Sequence, residues 1–133
     1  MSANEVESTL SIPEFKLMVD ALAPTNRVLV VRFTAEWCRP CQSIDAYCQE
    51  AYTKLPSNVH IIEIDIDLEL DLYLFFKKNK LLHGIPTLLA WYPDTMRDEK
   101  RWYLSDDSTL SANMDNLKGF FNRCNAKAVQ TNK

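Results

Sequence analysis

Apolar residues recur along this chain at two periods, and the change from one to the other marks its elements. Phe15, Met18, Val19 and Leu22 fall at i, i+3, i+4 and i+7, one face of a helix. The stretch before them, Ser11-Ile12-Pro13-Glu14, reads as a capping box with proline in the first turn. That helix is expected to end before Pro24. Arg27 to Thr34 is β-branched and nearly continuously apolar, as a central buried strand should be. A second helix is expected from near Cys38 to about Tyr52, with Ile44, Cys48 and Ala51 on its apolar stripe. Val59 to Asp65 predicts another strand.

Here the two periods conflict. Ile62, Ile64, Ile66, Leu68, Leu70, Leu72 and Leu74 alternate without a break. As one strand they would span roughly 44 Å at about 3.4 Å per residue. Strands in small domains usually run about 17–20 Å. The pattern is therefore divided, with the strand ending near Asp67 and a helix running from near Leu70 to Asn79. Beyond Gly84-Ile85-Pro86, Thr87 to Tyr92 predicts a strand, "PDTMRDEK" a turn, and Arg101 to Leu104 a short strand. Met114, Leu117, Phe121 and Cys124, with Phe120 beside them, predict a terminal amphipathic helix. If the first residues add an edge strand, the order is β-α-β-α-β-α-β-β-α. That is an α/β sandwich, a mixed sheet with helices on both faces.

Length and composition narrow the class without changing this picture. A chain of 133 residues with a net charge of −3 suits one folded unit, expected over residues 1–125 with a flexible polar tail at 126–133. No block of like charge suggests a nucleic-acid partner, and no apolar stretch suggests a membrane span. The N-terminal "MSANEVESTL" has neither the basic start and apolar core of a signal peptide nor the arginine-rich character of a presequence. An intracellular location is expected, cytoplasmic or mitochondrial. Four cysteines are too few for a secreted disulfide framework.

Candidate chemistry lies at Trp37-Cys38-Arg39-Pro40-Cys41, where the first strand gives way to a helix. A thiol at a helix start gains from unpaired backbone N–H groups, which favour its thiolate. A second thiol one turn on can resolve a mixed disulfide. Pro40 stiffens the turn between them, Trp37 shields one side and Arg39 adds a cation. A bare CxxC is shared with zinc and iron–sulfur sites. A metal at Cys38 and Cys41, with His83, is a minor reading, because a tetrahedral site needs four ligands. Cys48 and Cys124 fall at core positions, as small buried hydrophobes or as regulatory thiols.

The strand–WCxPC–helix sequence "FTAEWCRPC", with "GIPTLLAWY" downstream, resembles the thioredoxin family over roughly residues 6–125. The resemblance implies the thioredoxin fold, with Cys38 as nucleophile, Cys41 as resolving thiol and Pro86 as a cis residue. It also implies a groove where Trp37, Ile85 and Pro86 contact an extended partner chain. Cofactors and metals are not expected.

Two positions depart from the family pattern. Arg32 stands where that family places a buried aspartate, and Glu63 where it places a lysine, so a buried ion pair of reversed polarity is expected. Arginine stays protonated and cannot accept a proton from Cys41. Cationic surroundings are expected to favour the Cys38 thiolate and make the couple more oxidising. Ala46 replaces a helix-kinking proline, so a straighter active-site helix is expected.

The function expected is that of an atypical thioredoxin-type protein, a poor general disulfide reductase and a redox-regulated chaperone or client-binding protein. The alternative is an ordinary general protein disulfide reductase. Expected partners are protein thiols and disulfides or unfolded polypeptide clients, with a reductase-like enzyme or a small dithiol as reductant. The apolar helix around residues 70–76 is either covered by neighbours or a surface for clients or self-association.

Overall fold

The computed structural model describes residues 6–110 and 112–131. Its elements are β1 (Val6–Glu7), α1 (Ile12–Thr25), β2 (Val28–Thr34), α2 (Arg39–Ser43) and α3 (Asp45–Lys54). They continue with β3 (Val59–Asp65), α4 (Leu70–Lys78), β4 (Thr87–Trp91), β5 (Asp107–Thr109) and α5 (Met114–Thr131). The strands form one mixed sheet in the order β1-β3-β2-β4-β5. β2 runs parallel to β3 and antiparallel to β4, which puts the chain from Arg27 to Thr34 at the centre.

Side-chain alternation on β2 divides the core in two. Leu29, Val31 and Phe33 face α1 and α4, meeting Phe15, Leu22, Leu72 and Phe76. Val28 and Val30 face α3 and α5, meeting Cys48, Tyr52, Phe120 and Cys124. Phe15 is the hinge of the first half, edge-on to Phe76 at 4.9 Å and to Trp91 at 5.1 Å between ring centroids. Both faces are thus closed by helices, leaving the end of β2 as the place where chemistry can surface.

Several expectations need correction, each for a local reason. The first helix does not stop before Pro24 but runs through Thr25, where Asn26 adopts a left-handed cap at φ 53°. The capping box at its start is present, with Ser11 and Glu14 each bonding the other's backbone N–H. The 62–74 alternation is indeed divided, because Asp65 turns the chain: its carboxylate accepts from Asp67 N–H and its carbonyl from Leu68 and Glu69 N–H. Residues 101–104 are not a strand. Trp102 and Tyr103 turn inward onto Phe75 instead, and the last strand forms later, from Asp107.

The chain from residue 126 is helical to Thr131 rather than a tail, since Ala128 extends the Leu117, Phe121, Cys124 stripe and is fully buried. The helix expected from Cys38 to Tyr52 is interrupted at Ile44. Alanine at position 46 therefore does not make it straight. No helix among the described residues is long and apolar enough to cross a membrane.

Candidate active site

The end of β2 hands the chain to the cysteine pair through an exposed turn, and Cys38 caps α2. Its Sγ accepts the Cys41 backbone N–H at 3.2 Å. Cys38 and Cys41 are joined as a disulfide. Both are buried, and Ile85 packs against the same cluster. The backbone donor aimed at Cys38 Sγ would stabilise a thiolate there once the disulfide is reduced. The Ile85–Pro86 peptide is cis, and Pro86 is buried at the start of β4. Trp37 shields little, being 65% exposed, and its Nε1 donates to Asp67 Oδ2 at 2.8 Å. Arg39 and Pro40 are exposed beside it, as is His83.

Behind the disulfide lies Arg32, at a core position of β2 and 1% exposed. Parallel register sets it directly beside Glu63 on β3. Its Nη1 donates to Glu63 Oε2 at 2.6 Å and to Asp45 Oδ1 at 2.8 Å. Its Nη2 donates to the Cys41 carbonyl at 2.9 Å. One guanidinium therefore ties β2 to β3, to α3 and to the backbone of the second cysteine.

This network explains the break at Ile44. Within an unbroken helix the Cys41 carbonyl would accept the N–H four residues on. Here it accepts Arg32 instead, while Asp45 opens the next helix and turns its carboxylate to the same guanidinium. The arginine thus does what a kinking proline does elsewhere, by supplying a different partner to a freed carbonyl.

Charge is balanced differently from the sequence expectation. Burial works against the Arg32 cation, but the bond to Asp45 and the fields of Tyr52, Cys48 and Glu63 hold its pKa above the ordinary value. The bond from Arg32 keeps the Asp45 carboxyl below its usual range, with Gln49 adding to it against the effect of burial. Glu63 is further engaged: Tyr52 Oη donates to its Oε2 at 2.8 Å and Gln49 Nε2 at 3.1 Å. The Arg32 cation thus faces two carboxylates, not the single one expected. Burial lifts the Cys48 thiol to about 11, against the pull of Arg32, and also lifts Cys124.

Sequence reasoning paired Arg32 with Glu63 and missed Asp45, Gln49 and Tyr52. They sit at i, i+4 and i+7, a polar stripe beside the apolar one of α3. A carboxylate opening that stripe was the available signal. Asp67, the partner of Trp37, was also missed, and no spacing pointed to it.

The thioredoxin family model matches residues 8–115. Thioredoxin H8 of Arabidopsis thaliana is 32% identical over 68 residues, which are 51% of this chain and 45% of that protein. The chain thus matches less than half the length of this relative. Among solved structures, oxidised thioredoxin O1 of Arabidopsis thaliana superposes with a TM-score of 0.68 at 22% identity, covering 90% of this chain and 97% of that one. Thioredoxin NaTrxh of Nicotiana alata gives 0.66 at 20%, covering 92% and 94%. At such identities the structures speak for the fold, and the family model speaks for descent. With its cysteine pair, its sheet and that match, the chain belongs to the thioredoxin family.

Proposed function

We propose that this protein is a redox switch that engages polypeptide clients and is weak as a general disulfide reductase. The observation that carries the reading is Arg32, a permanent cation fixed behind the disulfide. In the reaction, the Cys38 thiolate attacks one sulfur of a client disulfide and expels the other client sulfur as a thiolate. Cys41 must then lose its proton and attack Cys38 Sγ, releasing the second client thiol and oxidising the pair. Arg32 cannot take that proton. Glu63 and Asp45 already accept bonds from Arg32, and Asp45 is held at low basicity. The second step therefore relies on solvent, which slows resolution and lengthens the life of the mixed disulfide.

Insulin reduction with a matched thioredoxin reductase tests this. Turnover roughly tenfold below that of an ordinary thioredoxin is expected, which is about 1.4 kcal/mol in the barrier. Near-normal turnover would overturn the reading. In Arg32→Asp with Glu63→Lys, the usual polarity is restored and turnover should rise.

The client-binding part has its own support. Leu68, Leu70 and Leu74 are exposed, and Leu68 follows Asp67, which bonds Trp37 beside the cysteine pair, whereas Phe75 is covered by Trp102 and Tyr103. Suppression of citrate synthase aggregation, measured oxidised against reduced, tests it. No suppression in either state removes the client-holding role.

A further inference from the structure

Beside the cysteine pair runs an apolar strip that the described residues leave uncovered. Trp37 is 65% exposed, Leu68 81%, Leu70 53% and Leu74 50%. The bond from Trp37 to Asp67 fixes the turn carrying Leu68 against the residue that precedes Cys38. Leu70 and Leu74 lie one turn apart on α4, on the side away from buried Leu72 and Phe76. The strip thus leads from the disulfide along the outer side of one helix.

Its edges are acidic. Glu36 precedes Trp37, and Asp65, Asp67, Glu69 and Asp71 alternate with the apolar residues of the turn. None of these carboxylates joins an ion pair among the described residues, whereas Asp20, Asp45, Glu50, Glu63, Asp94, Asp106 and Asp107 all do. Arg39 stands at one margin, and Lys77 and Lys78 at the far end of α4. Apolar area alone accepts any apolar segment. Uncompensated charge around it selects the sign of what docks, by steering the encounter and penalising like charge.

We propose that this strip receives a partner polypeptide segment in which lysine or arginine flanks an aliphatic or aromatic side chain. A second copy of this chain is the wrong occupant, because it would set the same carboxylates against each other. Placing the partner's cysteine next to that segment rests on the redox reading above; the docking itself does not.

Two labelled peptides without cysteine separate the cases. Both carry the same leucine and tyrosine; one is flanked by lysine and arginine, the other by aspartate and glutamate. In low salt, fluorescence anisotropy should show the basic peptide binding the oxidised protein about tenfold more tightly, a preference lost well above about 0.15 M ionic strength. Glu36→Gln with Asp67→Asn and Asp71→Asn should abolish the preference, at unchanged circular dichroism. Leu68→Ser with Leu70→Ser and Leu74→Ser should weaken both peptides. Equal affinities for the wild type in low salt would overturn the proposal, as would a preference indifferent to salt. So would a dimer in sedimentation that excludes the basic peptide. Exchange with an uncharged disulfide peptide reads the redox reading separately, since it needs the thiols and not the acidic edge.

Discussion

Two arginines at opposite ends of the sheet use the same chemistry to different ends. Arg32 bonds groups 9, 13 and 31 residues away, on three other elements. Arg97 bonds the Tyr92 carbonyl, the Leu104 carbonyl and Asp106, at separations of 5, 7 and 9. The second closes one loop and draws it over the sheet edge. The first joins pieces of chain that only the finished fold brings together. The Arg32 side chain is 2% exposed and has no water to replace its partners, although Asp45 and Glu63 keep 50% and 20% of theirs in solvent, whereas Arg97 is 15% exposed. Reach and burial together, more than bond count, should set what each arginine contributes.

That difference can be broken deliberately. Arg32→Ala leaves Glu63 and the Cys41 carbonyl facing an empty site, and should cost about 3–5 kcal/mol in urea unfolding. Adding Glu63→Gln to Arg32→Met should recover much of that loss, because no buried charge is then left unpaired. Arg97→Ala should cost less, about 1.5–3 kcal/mol. A loss equal to that of Arg32→Ala would refute the distinction between local and long-range ties.

Acid should separate the clusters next. The Asp45 carboxyl is held below its usual value by Arg32. Asp107 is held down too: burial pushes its carboxyl up, but Arg123, Tyr92 and the Ser108 N–H more than offset this. A depressed folded value means stability that is present above the unfolded value, 3.8, and lost as pH falls through the folded one. Thermal melts should therefore be flat above about pH 5 and fall below about pH 4. Arg32→Met should flatten the Asp45 share and leave that of Asp107. The smallest effect belongs to Arg123→Ala, whose side chain is 54% exposed; less than about 1 kcal/mol is expected.

The thiols give one more contrast. After reduction, iodoacetamide near pH 8 should label Cys38 in the native protein while sparing Cys48 and Cys124, which burial keeps protonated. Rapid native labelling of Cys48 would mean that the Arg32 cluster opens.

Period and capping made most of the fold legible, since Ser11-x-x-Glu14 and the β2 run act through neighbours in sequence. What failed involved distant partners. Residues 101–104 look strand-like by composition, yet Trp102 and Tyr103 gain more by covering Phe15 and Phe75 than by pairing. The break at Ile44 depends on a side chain from another strand, so no feature of residues 38–52 announces it. At the site, the cysteines and the reversed charges could be read off directly. The polar stripe that Asp45 opens was visible, but its partner was not, because the bond to Arg32 exists only once β2 has been laid against α3.

Asn58 has a consequence for how the protein breathes. Its own carbonyl accepts Val28 N–H at 2.9 Å, and its amide donates to the Asn26 carbonyl at 2.9 Å and to that of Ala128 at 3.0 Å. The first bond of the central strand, the end of α1 and the last turns of α5 are thereby pinned by one residue. Fraying at the end of α5 should therefore open the start of the sheet as well. Amide protons in the closing turns of α5 should exchange with those at Val28, as one cooperative unit rather than as a terminus.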